Sequence, residues 1–553
     1  MNNNKKSNVK NNKTINTIQI GNKIEKIVVN IICLLVFVAF GYLAVMSILQ
    51  TSKIDPANYG NEVILFETDN IALNLLFMSL FFVILFAMKK RYDFFKNVNM
   101  KTLEFALPCY VAILGLVWVL SAQSSPAADS QNIFEAAVNA TQGNYQSMHD
   151  GGNFYNKDFY NGYSYFSFYP FQLGFVLISE FIYRIFGVSS AMPMEIINVL
   201  CVALAYMAIT MICKLLFKKR SIEFFTIILL AGCFQPILFC TFAYGNIMGM
   251  CCALWASYFL IKYFQTSKYV LLIPCAVLLT LSTLAKFNNM IYVVAFVIML
   301  IIHTIKQKKW QSIAFALAIC IIAVGVSNLV IMSYESRANT TFKSGVSQIL
   351  YLDMGLNESY MAPGWYNDIA KSTYINNGLD NKQADKVAME DINNRLKYKF
   401  SDVDYAVDFF GKKILSQWNE PTFESIWVSK VKGHYVELNS LANGVYDGST
   451  GQFLEIYFNL YIQILYLLFA VGLYCMFLNK KNNIETVLLT LVILGGFGYH
   501  LLFEGKSQYV LTYIPLLIPV ASYGISCILN GKYTKIKEFI EKLKYIPENK
   551  KAK

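Results

Sequence analysis

Charged residues are scarce in this sequence. They make up 15% of its 553 residues, whereas 56% are hydrophobic. A soluble protein needs about a quarter of its residues charged to cover its surface. The shortage of charge therefore argues against a soluble globular protein.

Other absences exclude particular kinds of site. All twelve cysteines fall within or at the ends of apolar segments, and none belongs to a CxxC or Cys/His grouping. This distribution argues against disulfides and against a zinc site. A glycine-rich phosphate-binding loop is also missing, which argues against an ATP-driven transporter. The sequence predicts no metal-ligating residues and no certain cofactor, although the involvement of a divalent metal stays open.

Long apolar runs are what the sequence does contain. Runs of about 18 residues or more are long enough for a helix to cross a hydrocarbon core about 30 Å thick. A β-barrel would instead show short alternating segments. Thirteen apolar segments can be marked: 27–49, 71–88, 103–121, 168–187, 193–217, 222–241, 244–264, 269–285, 288–304, 311–332, 453–476, 486–503 and 508–529. The sequence therefore predicts an all-α polytopic membrane protein embedded in the lipid bilayer.

The net charge of +12 has two interpretations, a nucleic-acid-binding surface or the basic cytoplasmic loops of a membrane protein. The basic residues cluster in short loops between apolar segments and in the two tails, which is the positive-inside pattern. This placement argues against nucleic acid as a partner. We expect both termini to lie in the cytoplasm.

If both termini lie in the cytoplasm, the number of membrane spans must be even. The thirteen apolar segments are an odd number, so one of them should not cross the membrane. Segment 168–187 is the best candidate for one that does not cross, since it opens at Tyr169-Pro170 and carries Glu180 and Arg184 in its middle. Charges at mid-membrane cost a few kcal/mol each, about 2.5–3.5 on insertion scales. We therefore predict about twelve spans and one interfacial helix. The alternative is that Glu180 and Arg184 pair inside the bundle and that another segment is re-entrant.

The remaining chain divides into polar regions around these spans. Residues 1–26 are predicted to be a disordered, basic cytoplasmic tail, and residues 530–553 a second basic tail. Residues 27–332 form a transmembrane module whose first large outer loop is 122–191, and residues 453–529 form the C-terminal spans. Residues 333–452 are too long for a mere connector. We interpret this region as an extracytoplasmic, α-rich cap, and "cap" denotes it below.

Polar residues gather at the outer ends of the predicted spans. They comprise Asp129, the Tyr165–Gln172 stretch, Tyr244-Gly245-Asn246, Lys286-Phe287-Asn288, and His500 through Tyr509. The span topology, which was assigned without reference to these motifs, places all of them on one side of the membrane. This agreement predicts a functional site on the outer face.

The same motifs resemble those of the GT-C glycosyltransferases. The resemblance is to bacterial members of glycosyltransferase family 39, related to protein O-mannosyltransferases, and to aminoarabinose transferases. The resemblance rests on five features: an acidic residue just past a span, a Tyr-Pro element, Tyr244-Gly-Asn246, Lys286-Phe-Asn288 and Glu504-Gly-Lys506-Ser-Gln-Tyr509. The resemblance implies a GT-C-like fold and the inverting transfer of a sugar from a polyprenyl-phosphate carrier to an extracytoplasmic acceptor.

This chain also departs from the family pattern. Two predicted spans precede the one that leads to Asp129, where the family usually has one. Ser130 follows Asp129 where protein-modifying members often carry a second acid, and Asn246 stands where many relatives have an acidic residue. The acceptor class therefore stays open between an envelope glycan, a lipid and a protein.

The chemistry of such a transfer favours particular residues. A general base near the acceptor hydroxyl contributes about 10²–10⁴-fold in rate, and Asp129 is the first candidate. Cations stabilise the charge that develops on the leaving phosphate, and Lys286, Lys506 and Arg184 are candidates for that role. The alternative is that these long side chains only snorkel to the membrane surface.

Further residues are candidates for substrate binding. Glu504 would orient Lys506 or bind sugar hydroxyls, and His500 lies one helical turn before it on the same face. Tyr169, Tyr244, Asn246 and Asn288 belong to the substrate-binding set that the resemblance implies. For the aromatic residues, an interfacial belt is the competing interpretation.

The sequence thus predicts a membrane glycosyltransferase, a polyprenyl-phosphate-dependent hexosyltransferase of a bacterial cell membrane. A lipid-linked oligosaccharide flippase is an alternative, although such a protein should carry more intramembrane charge. A polysaccharide polymerase or ligase is a third hypothesis. It would lead us to expect arginine pairs in the cap region, where only Arg337 and Arg395 occur.

Overall fold

The computed structural model describes residues 2–90, 98–307, 310–479 and 481–530. Almost all regular structure in these ranges is helical. The α-helices of the first half are α1 (Asn2–Leu49), α2 (Ile71–Lys90), α3 (Met100–Ala122), α4 (Asp129–Thr141), α5 (Tyr165–Phe168), α6 (Leu173–Phe186), α7 (Met192–Phe217), α8 (Arg220–Ala231), α9 (Gln235–Leu238), α10 (Asn246–Thr266), α11 (Leu272–Ala285) and α12 (Met290–Gln307). Those of the second half are α13 (Gln311–Ala338), α14 (Gln348–Gly355), α15 (Ile369–Asn376), α16 (Asn381–Tyr398), α17 (Val403–Trp418), α18 (Trp427–Lys430), α19 (Ser440–Tyr446), α20 (Ser449–Leu478), α21 (Ile484–Leu502), α22 (Ser507–Val510) and α23 (Ile514–Leu529).

Ten of the described helices are long and apolar enough to cross a membrane. Two bent helix pairs also pass that test when each is taken as one span, namely Lys157–Phe168 with Pro170–Phe186, and Arg220–Ala231 with Gln235–Thr241. The segment Tyr269–Ala285 is apolar but shorter. The all-helical, multi-pass fold is confirmed. The ten helices, the bent pair at 220–241 and the short segment coincide with the twelve predicted spans.

The segment predicted not to cross is bent in the structure. Its two halves meet at an angle of 61°, and the break falls at Tyr169, whose φ of −132° and ψ of 58° are not helical. Tyr169 precedes Pro170, and a residue before proline is disfavoured in the helical region. Glu180 and Arg184 do pair with each other, at 2.7 Å. The interfacial placement of this helix stays a prediction.

The N-terminal region differs from the expectation. We predicted disorder for residues 1–26, but α1 begins at Asn2 and runs without a break to Leu49. No proline interrupts this stretch, and Glu25 forms an ion pair with Lys306 of α12 at 2.9 Å. The helix therefore extends beyond its apolar part. Of the second predicted tail, residues 531–553 lie outside the described residues.

The cap contains helices α14 to α19 and receives a β-hairpin from the chain between α1 and α2. Strands β1 (Gln50–Ile54) and β2 (Ile64–Thr68) are antiparallel, with Gln50 opposite Thr68. The amide of Ser52 donates to the carbonyl of Asn419 at 3.1 Å, and the amide of Ile64 donates to that of Met361 at 2.9 Å. The hairpin is thereby attached to the cap. α13 reaches Ala338, so the cap begins a few residues later than predicted.

Helices α20 and α23 pack closely through two glycines. A methyl group built on Gly472 would lie 2.1 Å from the carbonyl oxygen of Val520, and one on Gly524 would lie 2.4 Å from that of Leu468. The backbones therefore approach as in the small-residue contacts of membrane helices. This contact lies in the buried core of the bundle.

We expect Gly472→Ala to destabilise the protein by about 1–3 kcal/mol, because the added methyl group overpacks a backbone contact. The measurement is the apparent thermal unfolding midpoint in detergent. Gly41→Ala is the matched control, since a methyl group on that helical glycine meets no atom within 4 Å. An equal drop in both variants would contradict the proposed role of the contact.

Candidate active site

Asp129 is the first residue of α4, where the chain turns after α3. Ala128, just before it, has a φ of 48°, and the hydroxyl of Ser130 accepts from the amide of Ala127 at 3.1 Å. The turn places the Asp129 carboxylate at a helix N-terminus, where the helix dipole favours negative charge. Burial raises the pKa of Asp129 above its ordinary value, and the charges of Lys286 and Lys506 oppose that rise. Asp129 is thus a recessed acid within the electrostatic reach of both lysines.

Lys286 lies where α11 ends and a short 3-10 turn, Phe287–Asn289, begins. Its ammonium group sits over the ring of Tyr244, 4.1 Å from the centroid, and 5.5 Å from the centroid of Tyr509. Burial lowers the pKa of Lys286 to about 8, although Asp129 and Glu504 favour its charged form. Aromatic rings and distant carboxylates stabilise the Lys286 ammonium without using its N–H donors, so these donors are available to bind an anion.

Gly245 explains why the Tyr-Gly-Asn motif sits beside Lys286. A methyl group on Gly245 would lie only 1.7 Å from the carbonyl oxygen of Ala285. The chain before α10 therefore rests directly on the end of α11. This contact brings Tyr244 under Lys286 and places Asn246 at the start of α10, with its amide oxygen buried and without a hydrogen-bond partner.

Lys506 is balanced by carboxylates that the sequence analysis did not connect with it. Its ammonium forms an ion pair with Glu62 of the hairpin and lies 3.8 Å from Glu424 of the cap. Burial lowers the pKa of Lys506, but the nearby carboxylates outweigh this effect and hold it above its ordinary value. Lys506 is therefore a charged residue whose partners are already present in the protein.

Glu504 lies between the two lysines and the aromatic residues. Burial raises its pKa to about 7, against the lowering effect of Lys506. Tyr509 donates to its carboxylate at 3.2 Å. The ring of His500 stacks on that of Tyr509 at 5.5 Å, and its Nδ1 lies 3.3 Å from the carbonyl oxygen of Glu504. The predicted set of His500, Glu504 and Lys506 is thus brought together in one segment.

Lys413 holds this segment against the cap. Its fully buried ammonium donates to the carbonyl of Phe503 at 2.8 Å and to that of Gly355, at the end of α14. Burial lowers the pKa of Lys413 to about 7, and Glu504 opposes that change. The amide of Gly505 also donates to the carbonyl of Gly364 at 2.9 Å. The 503–506 segment is therefore positioned by the cap.

The remaining predicted residues divide between the site and its edge. Tyr169 lies among aromatic rings, 4.9 Å from Tyr165, and within range of the charge of Asp129. Asn288 faces an apolar groove of about 360 Å³ between α12 and α21. The other groove-lining residues are Phe287, Met290, Ile291, Val294, Ala295, Ile298, Gln348, Leu491, Gly495 and Tyr499. The groove thus runs along both spans from Phe287 and Asn288, which directly follow Lys286 in the chain.

Arg184 lies at the opposite end of α4 from Asp129. It pairs with Glu180, donates to the carbonyls of Ala140 and Thr141 at 2.9 and 3.3 Å, and so closes the C-terminal end of α4. Arg337 forms an ion pair with the same Glu180. α4 has 13 residues, so Arg184 lies roughly 18 Å along the helix axis from Asp129 at the other end. These contacts stabilise the helix that carries Asp129, and the phosphate-binding role of Arg184 stays a prediction.

Sequence reasoning missed Glu62, Glu424 and Lys413. All three residues are buried, and a buried charge requires a partner, but the sequence did not indicate which charged side chains are buried. Among the described residues, no group of three or more His, Cys, Asp or Glu is placed to hold a metal ion.

Comparison with known proteins yields one family match. The family model described as dolichyl-phosphate-mannose-protein mannosyltransferase matches residues 173–331. This range runs from α6 into α13 and includes Tyr244, Asn246 and Lys286, but not Asp129 or Glu504. A sequence search of curated proteins finds no match to this chain.

Solved structures show weaker likenesses. The oligosaccharyltransferase of Archaeoglobus fulgidus, in a complex with zinc and sulfate, is 11% identical with a TM-score of 0.38; the match covers 80% of this chain and 51% of that one. This chain thus spans about half the length of that relative. ArnT from Cupriavidus metallidurans bound to undecaprenyl phosphate is 11% identical with a TM-score of 0.31, over 76% and 77% of the two chains. Likenesses at these TM-scores carry no argument for function.

The all-helical bundle and the family match over residues 173–331 agree with the membrane glycosyltransferase that the sequence motifs predict. The matched range is less than a third of the chain, and it includes the Tyr244-Gly-Asn246 and Lys286-Phe-Asn288 motifs.

We expect Arg184→Met to lower the apparent unfolding midpoint while the KM for a lipid-linked donor changes less than twofold, because Arg184 contacts α4 and Glu180 rather than the site. Lys286→Met should instead raise that KM by roughly 10–100-fold, the loss of one charged hydrogen bond. Both quantities are measured on detergent-purified protein. An equal rise in KM for the two variants would show that Arg184 reaches the donor.

Proposed function

We propose that this protein transfers a sugar, with inversion, from a polyprenyl-phosphate carrier to an envelope acceptor on the cap side of the membrane. The observation that carries the proposal is the shared site of Asp129, Lys286 and Lys506 beside an apolar groove. The matching family is described by a dolichyl-phosphate-linked sugar donor and a mannosyltransferase activity. That description supports a polyprenyl-phosphate hexose as the donor here.

The two lysines have different roles in the proposal. Lys506 is already paired with Glu62 and lies 3.8 Å from Glu424, so it contributes a stabilising charge at a short distance from the donor. Lys286 forms no ion pair with a described residue, and the two residues that follow it in the chain, Phe287 and Asn288, line the groove. Lys286 is therefore the primary ligand of the donor phosphate. The groove accommodates the first isoprenoid units of the carrier.

Asp129 acts as the general base. The acceptor hydroxyl attacks the anomeric carbon, its proton passes to Asp129, and the bond from that carbon to the phosphate oxygen breaks. The phosphate remains on the carrier with its developing charge opposite Lys286. Burial raises the pKa of Asp129, which makes the carboxylate a better proton acceptor than an exposed aspartate. Glu504, Asn246 and Tyr244 line the same region and bind sugar hydroxyls, with His500 and Tyr169 supporting them.

The proposal includes a location. The site and the cap lie at one end of the spans, and the basic loops such as Lys214–Arg220 lie between spans at the other end. Under the positive-inside rule the cap faces outward and both termini face the cytoplasm. A bacterial cell membrane suits this arrangement.

We expect Asp129→Asn to reduce sugar transfer by about 10²–10⁴-fold, the contribution of a general base. The assay is transfer from a radiolabelled polyprenyl-phosphate sugar by the full chain in proteoliposomes. Asp158→Asn, at an exposed carboxylate of the same loop, is the control and should retain full activity. Full activity of Asp129→Asn would remove Asp129 from the mechanism, and carrier translocation without transfer would favour the flippase.

We expect kcat/KM for the donor to fall as pH rises through about 8. Burial lowers the pKa of Lys286 to about 8, so Lys286 is charged below that pH and loses its charge above it. Arginine stays protonated throughout this range. Lys286→Arg should therefore move the alkaline limb of the pH profile upward by more than one pH unit, even if its rate is lower. An unmoved limb would assign the titration to another group.

A further inference from the structure

Helix α17 of the cap lies beside the end of α1 rather than above it. At its C-terminal end, the side chain of Asn419 donates to the carbonyl of Gln50, the residue after α1, at 2.6 Å. Eight residues earlier, a methyl group on Gly411 would lie 3.8 Å from the hydroxyl of Tyr42 in α1. Tyr42 precedes the end of α1 by seven residues, or about 10 Å. α17 therefore runs at the height of the last two turns of a membrane-spanning helix.

The inner end of α17 is anchored in the bundle. The Trp418 ring is 1% exposed and meets Phe40 of α1 edge-on at 5.5 Å between centroids. Phe497 of α21 lies 5.6 Å away on another side. Trp418 is thus held between spans, below the surface of the cap. The rest of α17 extends outward from this fixed point.

One face of α17 continues beyond the helix that covers it. Val403, Val407, Gly411 and Ile414 are spaced so that they share a face of the helix. Gly411, on the inner half of this face, is next to Tyr42 of α1. Val403 and Val407, on the outer half, are 70% and 67% exposed. The face of α17 that contacts α1 at Gly411 is therefore uncovered one to two turns nearer the N-terminus of α17.

The surface beside this uncovered face is the lipid-facing surface of α1. Val45, in the last turns of α1, is 57% exposed, and Tyr42 is 38% exposed. The neighbouring end of α16 adds Leu396 and Tyr398, at 53% and 67% exposed. Tyrosine is enriched at membrane interfaces, where its ring is buried and its hydroxyl is wet. Tyr42 connects this exposed surface of α1 with the face of α17 that carries Gly411, Val407 and Val403.

Charged residues of α17 occupy a different face. Asp404, Asp408 and Lys412 are spaced by four residues, and Lys412 pairs with Asp408 at 2.8 Å with both side chains largely exposed. A helix with an apolar face and a separate charged face lies in the membrane interface with the charges toward water. If another protein or a second copy covered this face, the face would not need to lie beside the last turns of a membrane-spanning helix.

We propose that the outer half of α17, with Leu396 and Tyr398 of α16, is embedded in the bilayer leaflet on the cap side. In this arrangement the lipid acyl chains cover Val403 and Val407, whereas α1 covers Gly411 on the same face of α17. The cap is then attached to the membrane at two places, through Trp418 in the bundle and through Val403 and Val407 in the lipid. The proposal concerns the bilayer and does not depend on the identity of the donor or acceptor.

The test compares neighbouring positions on the two faces of α17. Val407→Cys and Asp408→Cys variants of the full chain are reconstituted in lipid nanodiscs with one copy per disc. Each is treated with a membrane-impermeant charged maleimide, and the modification rate of the peptide around residue 407 is followed by mass spectrometry. Peptide-level detection separates this signal from the native cysteines. Val403→Cys provides a second apolar position if Val407→Cys does not fold.

We expect Asp408→Cys to react at least tenfold faster than Val407→Cys, and an environment-sensitive fluorophore on residue 407 to be quenched by lipids with a nitroxide high in the acyl chain. Reaction rates within threefold of each other would overturn the proposal. Protection that occurs only in vesicles with many copies, and is lost in single-copy discs, would instead identify a second copy as the occupant and would also overturn it.

Discussion

The structure depends on placing several charges in one buried site without leaving any of them uncompensated. Removing an isolated charge from water costs far more than any single hydrogen bond returns. Asp129 and Glu504 therefore need Lys286 and Lys506 nearby, and Lys506 in turn has Glu62 and Glu424. These six residues come from five different parts of the chain, since only Glu504 and Lys506 share a segment. The need for compensation thus ties the first outer hairpin, the cap and the spans to one site.

The cap and the hairpin supply partners as well as cover. Lys413 holds the carbonyls of Gly355 and Phe503, and this contact sets the position of the segment that carries Glu504 and Lys506. The hairpin between α1 and α2 contributes Glu62 to Lys506 and hydrogen-bonds the cap through Ser52 and Ile64. The connection between the first two spans, α1 and α2, therefore has a structural consequence. It delivers a carboxylate to the site from outside the region that the family model matches.

Side chains of opposite charge lie at the two ends of helix α4. Its N-terminus carries Asp129, where a negative charge is favoured, and its C-terminus is closed by Arg184, where a positive charge is favoured. Glu180 joins Arg184 to Arg337 of α13 and so connects the helix to the bundle. The pair of Arg184 and Glu180 thereby fixes the helix that carries Asp129 to a membrane-spanning helix.

The sequence by itself determined the membrane fold, the positions of the spans and the set of polar motifs at one end, because apolar length and charge placement are local properties of the chain. It also predicted that Asp129, Lys286, Glu504 and Lys506 lie on one side of the membrane, since span parity places them there. Only the tertiary structure decided their partners. It placed Arg184 at the opposite end of α4 from Asp129, showed the helical start at Asn2, and brought Glu62, Glu424 and Lys413 into contact with residues far away in the chain. Such pairings depend on which charges are buried together, and burial is a property of packing that no local pattern contains.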